Sequence, residues 1–121
     1  MLGIGIDAVD VDRFRALLQR RPAAAARLFT DGELAYGARW HDPAPRLAAR
    51  FAAKEAVMKA LGVGIGAFPF HDVEVVSAPS GAPSLVLRGR AEAKARGLGV
   101  AAWKLSLTHT DTVAQAVAVA L

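Results

Sequence analysis

The chain contains no cysteine, which excludes disulfides, thiolate metal sites and cysteine nucleophiles. Its three histidines are scattered, which argues against a multi-histidine metal centre. No run approaches the roughly 20 apolar residues that cross a bilayer. The N-terminus lacks a basic stretch followed by an apolar run, so no secretory signal is expected and the cytoplasm is the expected compartment. Aromatics are few: two Trp, one Tyr and five Phe. They fall within apolar patterns and do not interleave with Lys and Arg, which counts against a stacking platform for single-stranded nucleic acid. What is present is 54% hydrophobic and 21% charged, a composition that folds. Lys plus Arg exceed Asp plus Glu by 15 to 11, a net charge of +4, which suits an acidic or phosphorylated partner. One domain over residues 1–121 is expected, small enough for oligomerisation to help it.

The segment 50–61, RFAAKEAVMKAL, has no Gly or Pro and one β-branched residue, Val57, and predicts a helix. Glu55 and Lys59 are neighbours on one face of it, while Lys54 points about 100° away. Two chemistries fit these residues. One is an exposed helix with a Glu55–Lys59 ion pair. The other is a carboxylate for a metal, with ammonium groups for phosphate. The second requires another carboxylate from elsewhere.

Residues 2–7, LGIGID, predict a strand with Leu2, Ile4 and Ile6 on one side and Gly3, Gly5 and Asp7 on the other. The glycine side is bare backbone that a ligand or another segment can approach. Asp7, at the expected strand end, suits either a helix N-cap or a ligand role. A helix is predicted from Asp10 to Arg20, with Val11, Phe14, Leu17 and Leu18 as its apolar stripe and Arg13 and Arg20 on nearly the same outer side. Arg21-Pro22 ends it. Thr30 followed by Glu33 is a capping-box pattern, predicting a helix from Asp31 to about Trp40, with a loop at 41–45. Gly62, Gly64 and Gly66 space a loop whose N–H groups suit a phosphate or, equally, a helix C-cap and turn. Residues 73–77 and 84–87 predict a hairpin. A short helix over 90–96 and strands over 102–107 and 113–121 follow, the last apolar on both faces and hence expected to be covered on both. His109 lies in the expected polar loop between those strands. Strand, helices, hairpin, helix and two strands together predict an α+β fold, an antiparallel sheet with helices packed on one side.

Five segments carry a resemblance: GIGIDAVDVDRF at 3–14, FTDGELAY at 29–36, RFAAKEAVMKALGVGIG at 50–66, DVEV at 72–75 and LSLTHT at 105–110. Together they span nearly the whole chain. It resembles the holo-acyl carrier protein synthases, the small single-domain phosphopantetheinyl transferases. The resemblance implies transfer of phosphopantetheine from coenzyme A to a serine of an apo acyl carrier protein, releasing adenosine 3′,5′-bisphosphate. It implies Asp7 and Glu55 as magnesium ligands and catalytic groups, with Lys59 stabilising the departing phosphate. It places Arg50, Lys54, Gly62, Gly64, Gly66 and His109 around coenzyme A, with His109 near the 3′-phosphate. Arg13 and Arg20 would meet the acidic carrier. A homotrimer with interfacial active sites is implied, and neither nucleic acid nor membrane is an expected partner. Lys104 stands where many members have histidine. Another magnesium-dependent phosphoryl transferase or phosphohydrolase, and a basic nucleic-acid-binding module, are the alternatives. The carrier's identity, from fatty-acid or polyketide synthesis, stays open, as does the group that takes the serine proton.

Overall fold

The computed structural model describes residues 1–121. Strand β1 (Gly3–Asp10) leads into helices α1 (Val11–Arg20), α2 (Ala23–Leu28), α3 (Asp31–Gly37) and the long α4 (Ala44–Ala60). A 3-10 turn at Phe70–Asp72 precedes β2 (Val73–Ser77) and β3 (Pro83–Leu87), then α5 (Gly89–Gly97), β4 (Trp103–His109) and β5 (Val113–Ala120). The strands make two antiparallel sheets, one ordered β1-β5-β4 and the other the β2–β3 hairpin. The fold is α+β, as the sequence predicts. No helix is long and apolar enough to cross a membrane.

Helix α4 lies on one face of the three-stranded sheet because both surfaces are nearly bare. Gly3 and Gly5 pair with Ala120 and Ala118 of β5. A Cβ added at Gly3 would sit 2.0 Å from the Ala60 carbonyl oxygen, and one at Gly5 1.9 Å from that of Ala56. Real side chains never approach backbone so closely, so only glycine admits the helix here. The alanine face of β5, from Ala114 to Ala120, is buried with Ala52, Ala53 and Ala56 of α4. The glycine side of β1 is thus covered by the chain's own helix. The opposite face is left open, with Leu2, Ile4 and Ile6 being 57%, 57% and 61% exposed.

The ends of α4 follow local chemistry. It starts at Ala44, inside the stretch expected to be loop, because Pro45 falls in the first turn, where a missing N–H is no loss. It stops where Gly62 adopts φ 72°. There Gly62 N–H donates to the Lys59 carbonyl at 3.1 Å and Val63 N–H to that of Met58 at 2.9 Å, the paired bonds of a Schellman motif.

Helix α1 is capped by Asp10, whose carboxylate accepts from Arg13 N–H at 2.8 Å. Strand β1 runs on past Asp7 to that residue, so the N-cap alternative for Asp7 does not hold. The Thr30–Glu33 capping box is present in full, although α3 ends at Gly37 and not near Trp40. A second apolar cluster fills the space between α1, α2 and α4, where Phe14 meets Phe29 edge-on at 6.0 Å and Phe51 at 5.4 Å.

Candidate active site

Asp7 projects from mid-β1 on the side that faces α4, two residues beyond Gly5. The small residues that let the helix close on the strand therefore also bring Glu55 and Lys59 to Asp7. Lys59 Nζ donates to Asp7 Oδ1 at 3.0 Å and to the Ile6 carbonyl at 2.9 Å. It takes this partner from the strand in place of the expected Glu55. Asp7 is 12% exposed and Lys59 54%, so the pair sits at the rim of an opening.

That opening is a groove of about 660 Å³ whose lining includes Asp7, Glu55, Arg13, Arg20, Phe14 and Phe51. Burial holds the Glu55 carboxyl above its ordinary pKa, the Asp7 charge raises it further, and Lys59 opposes both. Two carboxylates pressed together with one ammonium between them favour a divalent cation. No third His, Asp or Glu joins them. Two carboxylates, with the remaining positions left to phosphate oxygens and water, are what magnesium characteristically takes from a protein. The residues present fit that ion.

Lys54 requires a correction. Its ammonium is fully buried and paired with Glu33 Oε1 at 2.7 Å, where both side chains are 0% exposed. It also donates to the carbonyls of Phe70 and Val73. All three N–H donors are thereby used inside the protein, and no ligand role is open to it. Burial pushes its pKa down while Glu33 opposes the shift. Glu33 in turn accepts from Thr30 N–H and Val75 N–H, each at 2.9 Å. This buried junction ties α3, α4 and β2 together. The sequence marks Glu33 only as half of a capping box.

Gly62 is corrected in part, since its N–H closes the helix. Gly64 and Gly66 donate to no backbone carbonyl, and side chains added at either would meet open space.

Arg50 and His109 lie in a second cavity, about 260 Å³, which Arg46, Tyr36, Ser77 and Ser106 also line. His109 is the last residue of β4, not a loop residue, and pairs with Ala114 of β5. Asp7 pairs with β5 from its other edge, at Ala116. Two strand spacings, roughly 10 Å, therefore separate them across the sheet. Arg50 is 4% exposed. Its guanidinium lies 3.6 Å over the Tyr36 ring and donates to Ser77 Oγ at 3.0 Å. Burial lowers its pKa, with Tyr36 and Glu33 opposing. The sequence reading missed Arg46 and Tyr36, which only tertiary packing brings here.

The comparisons with known proteins agree with this geometry. The family model for the 4′-phosphopantetheinyl transferase superfamily matches residues 3–117. The chain is similar to the holo-[acyl-carrier-protein] synthase of Frankia alni, with 52% identity over 99% of this chain and 97% of that one. Its fold matches the holo-[acyl-carrier-protein] synthase of Neisseria meningitidis at a TM-score of 0.90, with 32% identity over 100% of this chain and 98% of that one. The Helicobacter pylori synthase in complex with coenzyme A matches at 0.86, with 30% identity over 98% and 99% of the two chains. With a family model spanning nearly its whole length and a full-length relative at 52% identity, the chain belongs to the 4′-phosphopantetheinyl transferase superfamily.

Proposed function

We propose that this chain acts in the cytoplasm as a single-domain transferase that moves phosphopantetheine from coenzyme A to a serine hydroxyl of an apo acyl carrier protein, releasing adenosine 3′,5′-bisphosphate. The observation that carries this reading is the composition of one groove. Its two carboxylates, Asp7 and Glu55, stand beside two arginines, Arg13 and Arg20, on the adjoining helix. Metal-assisted phosphoryl chemistry and recognition of an acidic protein are thereby offered on one surface.

Asp7 and Glu55 would hold magnesium. When bound, the ion neutralises charge on the pyrophosphate oxygens and polarises phosphorus for attack. Lys59 is anchored by Asp7 and the Ile6 carbonyl yet half exposed, so its ammonium can reach a leaving phosphate oxygen and stabilise charge developing there. The serine Oγ–P bond forms as the bridging P–O bond breaks. Arg13 and Arg20 orient the carrier so that its serine enters the groove. Gly64 and Gly66 present backbone to coenzyme A, while Arg50 and His109 hold its phosphates.

A homotrimer follows from where these groups lie. Gly62 and Arg50 stand twelve residues apart on α4 and its cap, about 18 Å along the axis. One coenzyme A reaches both kinds of site most simply when a neighbouring chain supplies one of them. The open sheet face bearing Leu2, Ile4 and Ile6 provides the apolar surface for that contact.

Mass spectrometry of an apo carrier incubated with coenzyme A, magnesium and this protein tests the reading. A phosphopantetheine-sized mass increase that depends on both additions supports it. Hydrolysis of coenzyme A with no modified carrier would replace it with a phosphohydrolase. Sedimentation showing a fully active monomer would remove the trimer alone.

A further inference from the structure

Two cations of the second cavity stand four residues apart on α4, Arg46 and Arg50, and therefore neighbour each other on one helical face. Like charges so placed repel. No carboxylate lines this cavity, and neither arginine forms a salt bridge with any residue of the chain. Aromatic faces hold them instead. The Arg46 guanidinium lies 3.9 Å over the Trp40 ring and that of Arg50 3.6 Å over the Tyr36 ring. The two rings pack together at 4.7 Å between centroids.

Stacking consumes the face of a guanidinium and leaves its in-plane N–H edge free to donate. Arg50 uses one edge group on Ser77, while its Nε is buried with no hydrogen-bond partner. A buried N–H donor left unpaired in a positively charged cavity is a standing cost that an anion removes. His109, Ser77 and Ser106 line the same space. A phosphate monoester has three free oxygens and carries close to two negative charges. It can accept from both arginines and the histidine at once, which a phosphodiester, with two free oxygens and one charge, cannot match.

We propose that Arg46, preset by Trp40, is a specificity-determining residue that makes this cavity select the terminal 3′-phosphate of coenzyme A. The inference rests on the coenzyme A reading above and adds to it a residue pair, Arg46 and Trp40, with a selectivity that Arg50 and His109 alone do not supply.

The test compares ligands that differ only in that phosphate. Calorimetric binding of adenosine 3′,5′-bisphosphate and of adenosine 5′-monophosphate needs no transfer. The intact protein should bind the bisphosphate more tightly. Arg46→Met should weaken the bisphosphate roughly 10- to 100-fold, the scale of one hydrogen bond to a charged partner, and the monophosphate by less than about threefold. Trp40→Leu should act in the same direction but less, and Arg46→Lys should fall between, keeping the charge without the planar edge. In transfer assays the ratio of kcat/KM for coenzyme A to that for dephosphocoenzyme A should collapse in Arg46→Met while kcat holds. Equal weakening of both nucleotides, or no change in either, in a variant that melts like the parent would overturn the proposal. Absence of transfer by the parent protein would defeat the coenzyme A reading and leave the binding comparison to stand or fall separately.

Discussion

Helix α4 carries two lysines five residues apart, each paired with a carboxylate from another element, and the two pairs behave as opposites. Lys54 and Glu33 meet at 2.7 Å with both side chains wholly buried. Lys59 and Asp7 meet at 3.0 Å with the ammonium 54% exposed. The difference lies in what surrounds the same chemistry. Around Lys54 every donor is matched by an oxygen of the protein, so the pair is a fixed joint and removing either member leaves a buried charge alone. Lys59 has water on one side and an unneutralised carboxylate, Glu55, close by. Its partner can be exchanged for a ligand at little cost. A buried pair reports on architecture and a rim pair on reactivity, even one helical turn apart.

The widest separation between the two regions should come from the carboxylates at the rim. Asp7→Asn or Glu55→Gln should lower carrier modification by at least about a thousandfold, since metal-held charge stabilisation supplies several kcal/mol. Stability should not follow. Glu55 has its pKa raised in the folded protein. A raised carboxyl favours the fold at low pH, and that benefit is lost as pH rises through its folded value. At neutral pH without metal, Glu55→Gln should therefore melt at the same temperature as the parent or higher. A variant that lost activity only because it unfolded would refute the assignment, and thermal melts beside the mass assay distinguish the two.

The reverse profile is expected at the buried pair. Lys54→Met leaves the Glu33 carboxylate buried and unpaired, which costs roughly 3–5 kcal/mol. Glu33→Gln in the same chain should restore part of this, because the amide oxygen still accepts one of the backbone N–H groups now held by the carboxylate. Urea unfolding of the single and double variants measures it. Purely additive losses would mean that the two residues act separately.

Lys59→Met should divide the two properties most cleanly. Its ion pair is too exposed to contribute more than about 1 kcal/mol to folding. Its loss from the transition state should lower kcat about 10²- to 10³-fold. Steady-state kinetics with both substrates saturating, alongside a melt, reads both. A fall confined to the KM for coenzyme A would reassign Lys59 to binding.

The two pairs differ also in how far they could be read from the sequence. Glu55 with Lys59, the strand bearing Asp7, the Thr30–Glu33 box and the hairpin are local patterns, and each lies where its spacing predicts. The partners are not local. An i,i+4 spacing assigns Lys59 to Glu55, yet the ammonium turns to Asp7 because Gly3 and Gly5 draw the strand onto the helix. Lys54 looks like a surface residue until α3 and β2 close over it, and nothing near it in the chain announces Glu33. Asp7 resembled a cap because the strand's continuation through Ala8 and Val9 has little alternation to mark it. Arg46 gains its setting only when Trp40, from the end of the preceding loop region, swings beneath it.

A third charged site lies between the two extremes and should show the smallest effect. Glu74 on β2 is 13% exposed and pairs with Arg88 at 2.9 Å, but Arg88 is 55% exposed. The Thr30 hydroxyl donates to its other oxygen at 2.7 Å. That hydrogen bond is the main reason its pKa falls below the ordinary 4.5, with Arg88 next among the groups that lower it, while burial works the other way. A lowered carboxyl contributes stability that is complete above its unfolded value and disappears as pH falls through its folded value. The parent should therefore lose a little stability on acidification below about pH 4.5, and Glu74→Gln should lose less over the same range. At neutral pH the variant should be weaker by no more than about 1 kcal/mol, because the arginine side is screened and the amide oxygen can still accept from Thr30. Urea unfolding of both proteins at several pH values decides it. Curves that converge on acidification identify a charge effect like that of a rim pair. A difference that stays constant with pH would mean that Glu74 contributes through packing alone, and would move it to the side of the sealed joint.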